Sequence, residues 1–184
     1  MAKKIIAFGA SNSKKSINKQ LATYAAGLFT NATTEVLDLN DFPVPTYSID
    51  IEKEEGFPQA AHAFLNKIAE ADLLVISMAE HNGNYTAAFK SLFDWMSRIN
   101  VKLFQGKSIF LLATSPGARG GSSVLEIAEG RFPRHDGIIE TTFSLPSFND
   151  NFDTKKGVIT NTDLDNELKE KVKKITFELL LNLG

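Results

Sequence analysis

Between Gly9 and Asn18 the chain reads Gly-Ala-Ser-Asn-Ser-Lys-Lys-Ser-Ile-Asn, a polar run joining an apolar stretch to a helical one. Residues of these types in this place suit a phosphate. The side chains of Ser11, Ser13, Ser16 and Asn18 can donate to phosphate oxygens. The helix that follows presents free backbone N–H groups and the positive end of its dipole. Lys14 and Lys15 add positive charge nearby. The same composition also fits a solvated turn in which Ser16 or Asn18 caps the helix, and the segment alone fits both readings.

Several phosphate chemistries are excluded by what this loop lacks. There is no G-x-x-x-x-G-K-[ST] run, so it is not a P-loop. Gly9 stands alone where a dinucleotide-binding turn needs three spaced glycines. The chain has no cysteine, which removes a thiolate phosphatase, disulfides and thiolate metal sites. A phospho-accepting receiver would need acidic residues where this chain has Phe8-Gly9-Ala10. What remains is binding of a phosphomonoester without phosphoryl transfer.

Two later segments have similar character. One is Ala79-Glu80-His81-Asn82-Gly83-Asn84-Tyr85-Thr86, the other Thr114-Ser115-Pro116-Gly117-Ala118-Arg119-Gly120-Gly121. Glycines in the second allow the backbone to come close to a flat ring. His81 reads as an exposed loop histidine, and no neighbouring histidine or acidic pair has metal-ligand spacing. Lys90 reads as a solvated or ion-paired helix residue, Asp94 as a polar group near a helix end, and Trp95 as a packed aromatic.

Each of these loops follows a continuous apolar run. Ile5–Phe8, Leu73–Met78 and Ile109–Ala113 read as strands buried on both faces, with Glu35–Leu39 and Ile138–Leu145 as two further strands. Helical spacing links them, through Leu21, Ala25, Leu28 and Phe29, then Ala60 to Ala69, Ala88 to Met96, and Val124 to Ala128. A last stripe runs through Leu164, Leu168, Val172, Ile175 and Leu179. The loop at Phe42-Pro43-Val44-Pro45 and the segment from Pro146 to Lys156 read as irregular. Strands alternating with helices predict a doubly wound parallel sheet, with ligands beyond the strands' C-terminal ends.

At 184 residues the chain suits one domain, spanning 1–184. A net charge of -2 provides no basic field, so no nucleic-acid partner is expected. The first apolar stretch ends at Gly9, too short for a signal peptide or a membrane span, and a cytoplasmic protein without membrane contact is expected.

The three loops together resemble those of the NAD(P)H-dependent FMN reductase family, which includes flavodoxin-like azo-, quinone- and chromate-reducing flavoproteins. The family's first loop reads approximately G-S-x-R-x-x-S-x-N, and Ser11, Ser16 and Asn18 fall in register with it. Ala10 stands for its glycine and Ser13 for its arginine. Residues 38–45 are similar to the segment after the family's second strand. Residues 79–95 resemble its P-E-Y-N-G segment and the L-K-N-x-x-D-W helix behind it, with Ala79, His81 and Thr86 replacing a proline, a tyrosine and a proline. Residues 115–121 resemble its S-P-G-x-x-G-G turn.

That resemblance implies a flavodoxin-like three-layer α/β sandwich with a five-stranded parallel sheet in the order 2-1-3-4-5. It implies bound FMN, NADPH or NADH as reductant, a small-molecule electron acceptor, and a homodimer or homotetramer. The implied cofactor contacts are Ser11, Ser13, Ser16, Ile17 and Asn18, then Ala79, Glu80, His81, Asn82 and Gly83, then Ser115, Pro116, Gly117 and Gly120. No side chain is expected to be catalytic, because the flavin carries the chemistry. A one-electron carrier would favour a strongly acidic surface, which 20 basic against 22 acidic residues do not supply. A flavin-binding module without turnover is the other alternative, and the replacements at 13, 79 and 81 are what support it.

Overall fold

The computed structural model describes residues 2–181, with side chains described as far as residue 176. Strand β1 (Lys3–Gly9) leads to helix α1 (Ile17–Gly27) and strand β2 (Ala32–Leu37). Helices α2 (Ile49–Glu55) and α3 (Gln59–Glu70) precede β3 (Leu73–Met78). A small hairpin, β4 (Glu80–His81) and β5 (Asn84–Tyr85), opens helix α4 (Ala87–Ile99). Next come β6 (Ser108–Thr114), α5 (Ser122–Arg131) and β7 (Ile138–Leu145). The chain closes with α6 (Phe148–Asn151), a hairpin of β8 (Phe152–Asp153) and β9 (Val158–Ile159), and α7 (Thr162–Leu181).

The main sheet has five strands, all parallel, in the order β2-β1-β3-β6-β7. Counting only its own members, this is the expected order 2-1-3-4-5 of a flavodoxin-like fold. Apolar runs at β3 and β6 are wholly buried because helices cover both faces. On one face Leu21 and Ala25 of α1 pack with Phe110, Phe143 and Leu168. On the other, Phe8 and Ile76 meet Phe64 of α3, Phe89 and Trp95 of α4, and Val124 of α5. Because the five strands of the main sheet are parallel, the loops after β1, β3 and β6 emerge at one edge.

Several short elements depart from the sequence reading. The second strand begins at Ala32 and ends at Leu37, and residues 39–41 form a 3-10 turn instead. Helix α2 forms behind a Ser48 cap, whose side chain accepts from the Asp50 N–H. The segment from Pro146 to Lys156, read as irregular, is anchored by two aromatic rings. Phe148 and Phe152 are buried and stacked, with centroids 4.7 Å apart. Asp94 lies inside α4, not at its end, and pairs with Lys90 one turn earlier. Trp95 is fully buried and donates to the Pro45 carbonyl at 2.8 Å. Leu179, the last member of the expected helical stripe, lies outside the described side chains. No helix among the described residues is long and apolar enough to cross a membrane.

Candidate functional site

Gly9 decides how the first loop is built. A Cβ there would lie 2.3 Å from the Lys19 nitrogen and 2.7 Å from the Asn18 carbonyl carbon. Without that atom, the first turn of α1 sits directly on the end of β1. Ser16 caps the helix, its hydroxyl accepting from the Lys19 N–H at 3.1 Å. The N–H groups of Ile17 and Asn18, ahead of that capped position, have no intrahelical acceptor. No acidic side chain occupies the first turn, so the positive end of the helix opens on the loop.

The loop itself is tightly folded. The Ser11 N–H donates to the Gly9 carbonyl at 2.8 Å and the Ser13 N–H to the Ser11 hydroxyl at 3.1 Å. The ammonium of Lys19 is held by Asp38 at 2.6 Å, while Lys14 and Lys15 are exposed and pair with no described residue.

Asn18 was expected as a phosphate donor, but its side chain is committed elsewhere. Its amide donates to the Thr114 carbonyl at 3.1 Å, and its oxygen accepts from the Ser77 hydroxyl at 2.7 Å and the Thr114 N–H at 3.1 Å. It is buried and ties α1 to the ends of β3 and β6, leaving only its backbone N–H for a ligand.

The second loop is a two-residue hairpin. Asn82 (φ 52°) and Gly83 (φ 75°) both take the left-handed region, the Asn-Gly pattern of a type I′ turn. Thr86 fastens this loop to the first, donating to the Ala10 carbonyl at 2.9 Å while accepting from the Phe89 N–H at 3.2 Å. Glu80 caps a different element: its carboxylate accepts from the Val124 N–H at 3.1 Å, in the first turn of α5. That helix needs an outside acceptor because Gly121 stands at its own cap position. His81 is exposed, as expected.

In the third loop, the Gly117 carbonyl accepts from the N–H groups of Gly120 (3.1 Å) and Ser147 (2.9 Å). Gly117 is exposed, and a Cβ on it would meet nothing closer than the Ser115 hydroxyl at 3.8 Å. Gly120, expected beside the ligand, turns the other way. Its Cβ would fall 2.3 Å from the Ser144 hydroxyl and 3.0 Å from the Leu145 carbonyl carbon, so it is a packing glycine against β7.

Between the loops lies a cleft of about 220 Å³. It brings together Ser11, Ser13, Ser16, Ile17 and Asn18 with Ala79, Glu80 and His81, and with Ser115 and Pro116. Asn82, Gly83, Gly117 and Gly120 do not border it, while Lys15 and Thr114 do. Thr114 could have been found from its place at the strand end, one residue before Ser115. The serines, Lys15 and the open turn of α1 present donors at one end, while the loops at 79–81 and 115–116 offer mainly backbone. A phosphomonoester with a flat polar-edged ring matches that donor set. Among the described residues no cluster of histidine and carboxylate side chains could hold a metal ion.

A doubly wound flavodoxin-like sheet with its cleft at the strand C-terminal ends is the class that this geometry defines. Residues 3–138 match the NADPH-dependent FMN reductase family, and the chain belongs to that family. It is 32% identical over 97 residues to a quinone reductase of Escherichia coli, covering 53% of this chain and 49% of that one. With a 2-hydroxy-1,4-benzoquinone reductase of a Burkholderia species it shares 35% identity over 122 residues, 65% of this chain and 64% of the relative. The chain thus spans about half the length of the quinone reductase relatives it matches, and somewhat more of the Burkholderia protein. Among solved structures it is similar to FerB, a flavoenzyme NAD(P)H:(acceptor) oxidoreductase from Paracoccus denitrificans. There the TM-score is 0.75 at 19% identity, over 96% of this chain and 97% of that one, a likeness of fold.

Proposed function

We propose that the protein is an NAD(P)H-dependent flavin oxidoreductase acting as one FMN-binding domain, with a quinone as the favoured acceptor class. The observation that carries this reading is the cleft in which three strand-end loops meet the uncovered N-terminus of α1. The names of the quinone reductase relatives support the acceptor class, with azo compounds, free flavin and metal oxyanions as further candidates.

The hydroxyls of Ser11 and Ser13 and the N–H groups of Ile17 and Asn18 hold the FMN phosphate in this account. Lys14 and Lys15 supply countercharge as flexible point charges. Ser16 keeps the helix end in place, and Asn18 and Thr86 hold the loops in register. Backbone groups of residues 79–81 and 115–116 border the ring. When bound, the flavin supplies the redox chemistry, between a nicotinamide donor and the acceptor. No general acid or base is needed from the chain. NADPH or NADH as donor argues for a cytoplasmic site of action, and a homodimer or homotetramer follows from the family resemblance; gel filtration checks the latter.

Steady-state oxidation of NADPH and of NADH, with and without FMN and a benzoquinone, tests the reading. FMN-dependent turnover accelerated by the quinone, with parallel initial-rate lines, is the expected result. Absence of FMN-dependent turnover with both nucleotides and every acceptor class would overturn it.

A further inference from the structure

A second and larger cleft, of about 560 Å³, runs beside α1. It starts at Lys14, Lys15 and Ser16 and follows one face of the helix past Gln20 and Tyr24 to Leu28. Ser16, Gln20, Tyr24 and Leu28 are four residues apart, so the groove extends about 18 Å along the helix axis. Its far wall is the β8–β9 hairpin, where Thr154 and Gly157 are exposed.

Two features connect this groove to the cofactor cleft. Lys15 and Ser16 line both, so the groove begins where the phosphate end of the first cleft stops. Lys14 and Lys15, without ionic partners among the described residues, stand at that junction. The groove's volume falls within the roughly 300–1,000 Å³ typical of small-molecule sites.

We propose that this groove takes the adenylate half of a flavin dinucleotide, so that the protein accepts FAD as well as FMN. The inference rests on the reading of the first cleft as the flavin mononucleotide site. In FAD the second phosphate is joined directly to the first, and would enter the groove between the two lysines. The adenosine would then lie along α1, between the helix face and the hairpin. The Tyr24 hydroxyl is engaged by the Asp165 carboxylate, which fixes the ring as part of the wall and leaves ligand contacts to Gln20, Thr23 and Thr154.

Dissociation constants of FMN and FAD, measured by calorimetry on the wild-type chain and two variants, test this. Wild type should bind FAD within about tenfold of FMN. Thr154→Trp, which fills the groove from an exposed turn, should weaken FAD about tenfold and change FMN less than about twofold. Lys14→Glu should weaken FAD more than FMN, with a steeper salt dependence for FAD. Circular dichroism melts establish that each variant folds, and either variant alone suffices.

FMN binding with FAD more than about a hundredfold weaker would overturn the proposal while leaving the first cleft's reading intact. Equal effects of the variants on both flavins would overturn it as well. So would a Thr154→Trp variant that raises the KM for NADPH and leaves FAD unchanged, since the groove would then serve the reductant. Binding of neither flavin would overturn both readings together.

Discussion

Asn18 shows what a single residue does at this site. Its side chain joins α1 to partners 59 and 96 residues away, and it is buried. Asn18→Ala would leave the Ser77 hydroxyl and both backbone groups of Thr114 short of a partner. The expected cost is about 2–3 kcal/mol in urea unfolding, with weaker FMN binding because the loop ends lose their tie. A variant as stable as wild type would show that those groups find other partners. Ser13 makes the opposite test. It is exposed, uses its N–H and carbonyl within the loop, and its hydroxyl makes no hydrogen bond to a described residue. Ser13→Arg adds a charge-assisted donor and should tighten FMN by about threefold to tenfold, less at high salt. Weaker binding at both salt levels would mean that the lysines already occupy that space. Serine and asparagine look alike in sequence whether they cap, bind or brace. The first loop's place was therefore legible, while Asn18's bracing role, which depends on distant partners, was not.

At the scale of elements, buried strands announce themselves because sheet burial on both faces demands uninterrupted apolar runs, as at Leu73–Met78. Two-residue strands carry no such signal. The β4–β5 hairpin was marked only by Asn82-Gly83, and β8–β9 by nothing beyond the single aromatic Phe152, which is buried. Glycines were ambiguous for a related reason: a sequence cannot say which face of a turn meets another strand. Gly117→Val should leave stability nearly unchanged and lower FMN occupancy if this turn meets the ring. Gly120→Val should cost about 2–4 kcal/mol, from a left-handed φ of 58° and a clash with β7. Thermal melts beside FMN titrations separate the two, and a stable Gly120→Val variant would contradict the packing described.

The Asp38–Lys19 pair makes a further prediction between elements, because it links the end of β2 to α1. The Lys19 ammonium, helped by the Asn40 N–H, holds the Asp38 carboxyl below its ordinary value of 3.8. A lowered folded value means that the pair's stabilisation is complete above pH 3.8 and is lost as pH falls from there through the folded value. Asp38→Asn should therefore lower stability near neutral pH and flatten the acid limb of a stability–pH curve. An unchanged acid limb would show that the pair contributes nothing.

For the whole molecule, a doubly wound parallel sheet was legible because alternating strands and helices admit few right-handed arrangements, while its strand order came from the family resemblance; the loops after β1, β3 and β6 then had to share one edge. The volume of the cleft and the groove beside α1 were not legible, since both arise where distant segments meet. Nearly balanced charge, 20 basic against 22 acidic residues, fits an enzyme for small diffusible partners better than an acidic electron carrier. The most direct test is the visible absorption of the FMN-loaded protein mixed anaerobically with NADPH, then with a benzoquinone. The flavin absorption should bleach with one equivalent of NADPH and return when the quinone is added. Flavin that stays bound but unbleached by NADPH and by NADH would contradict the proposed function.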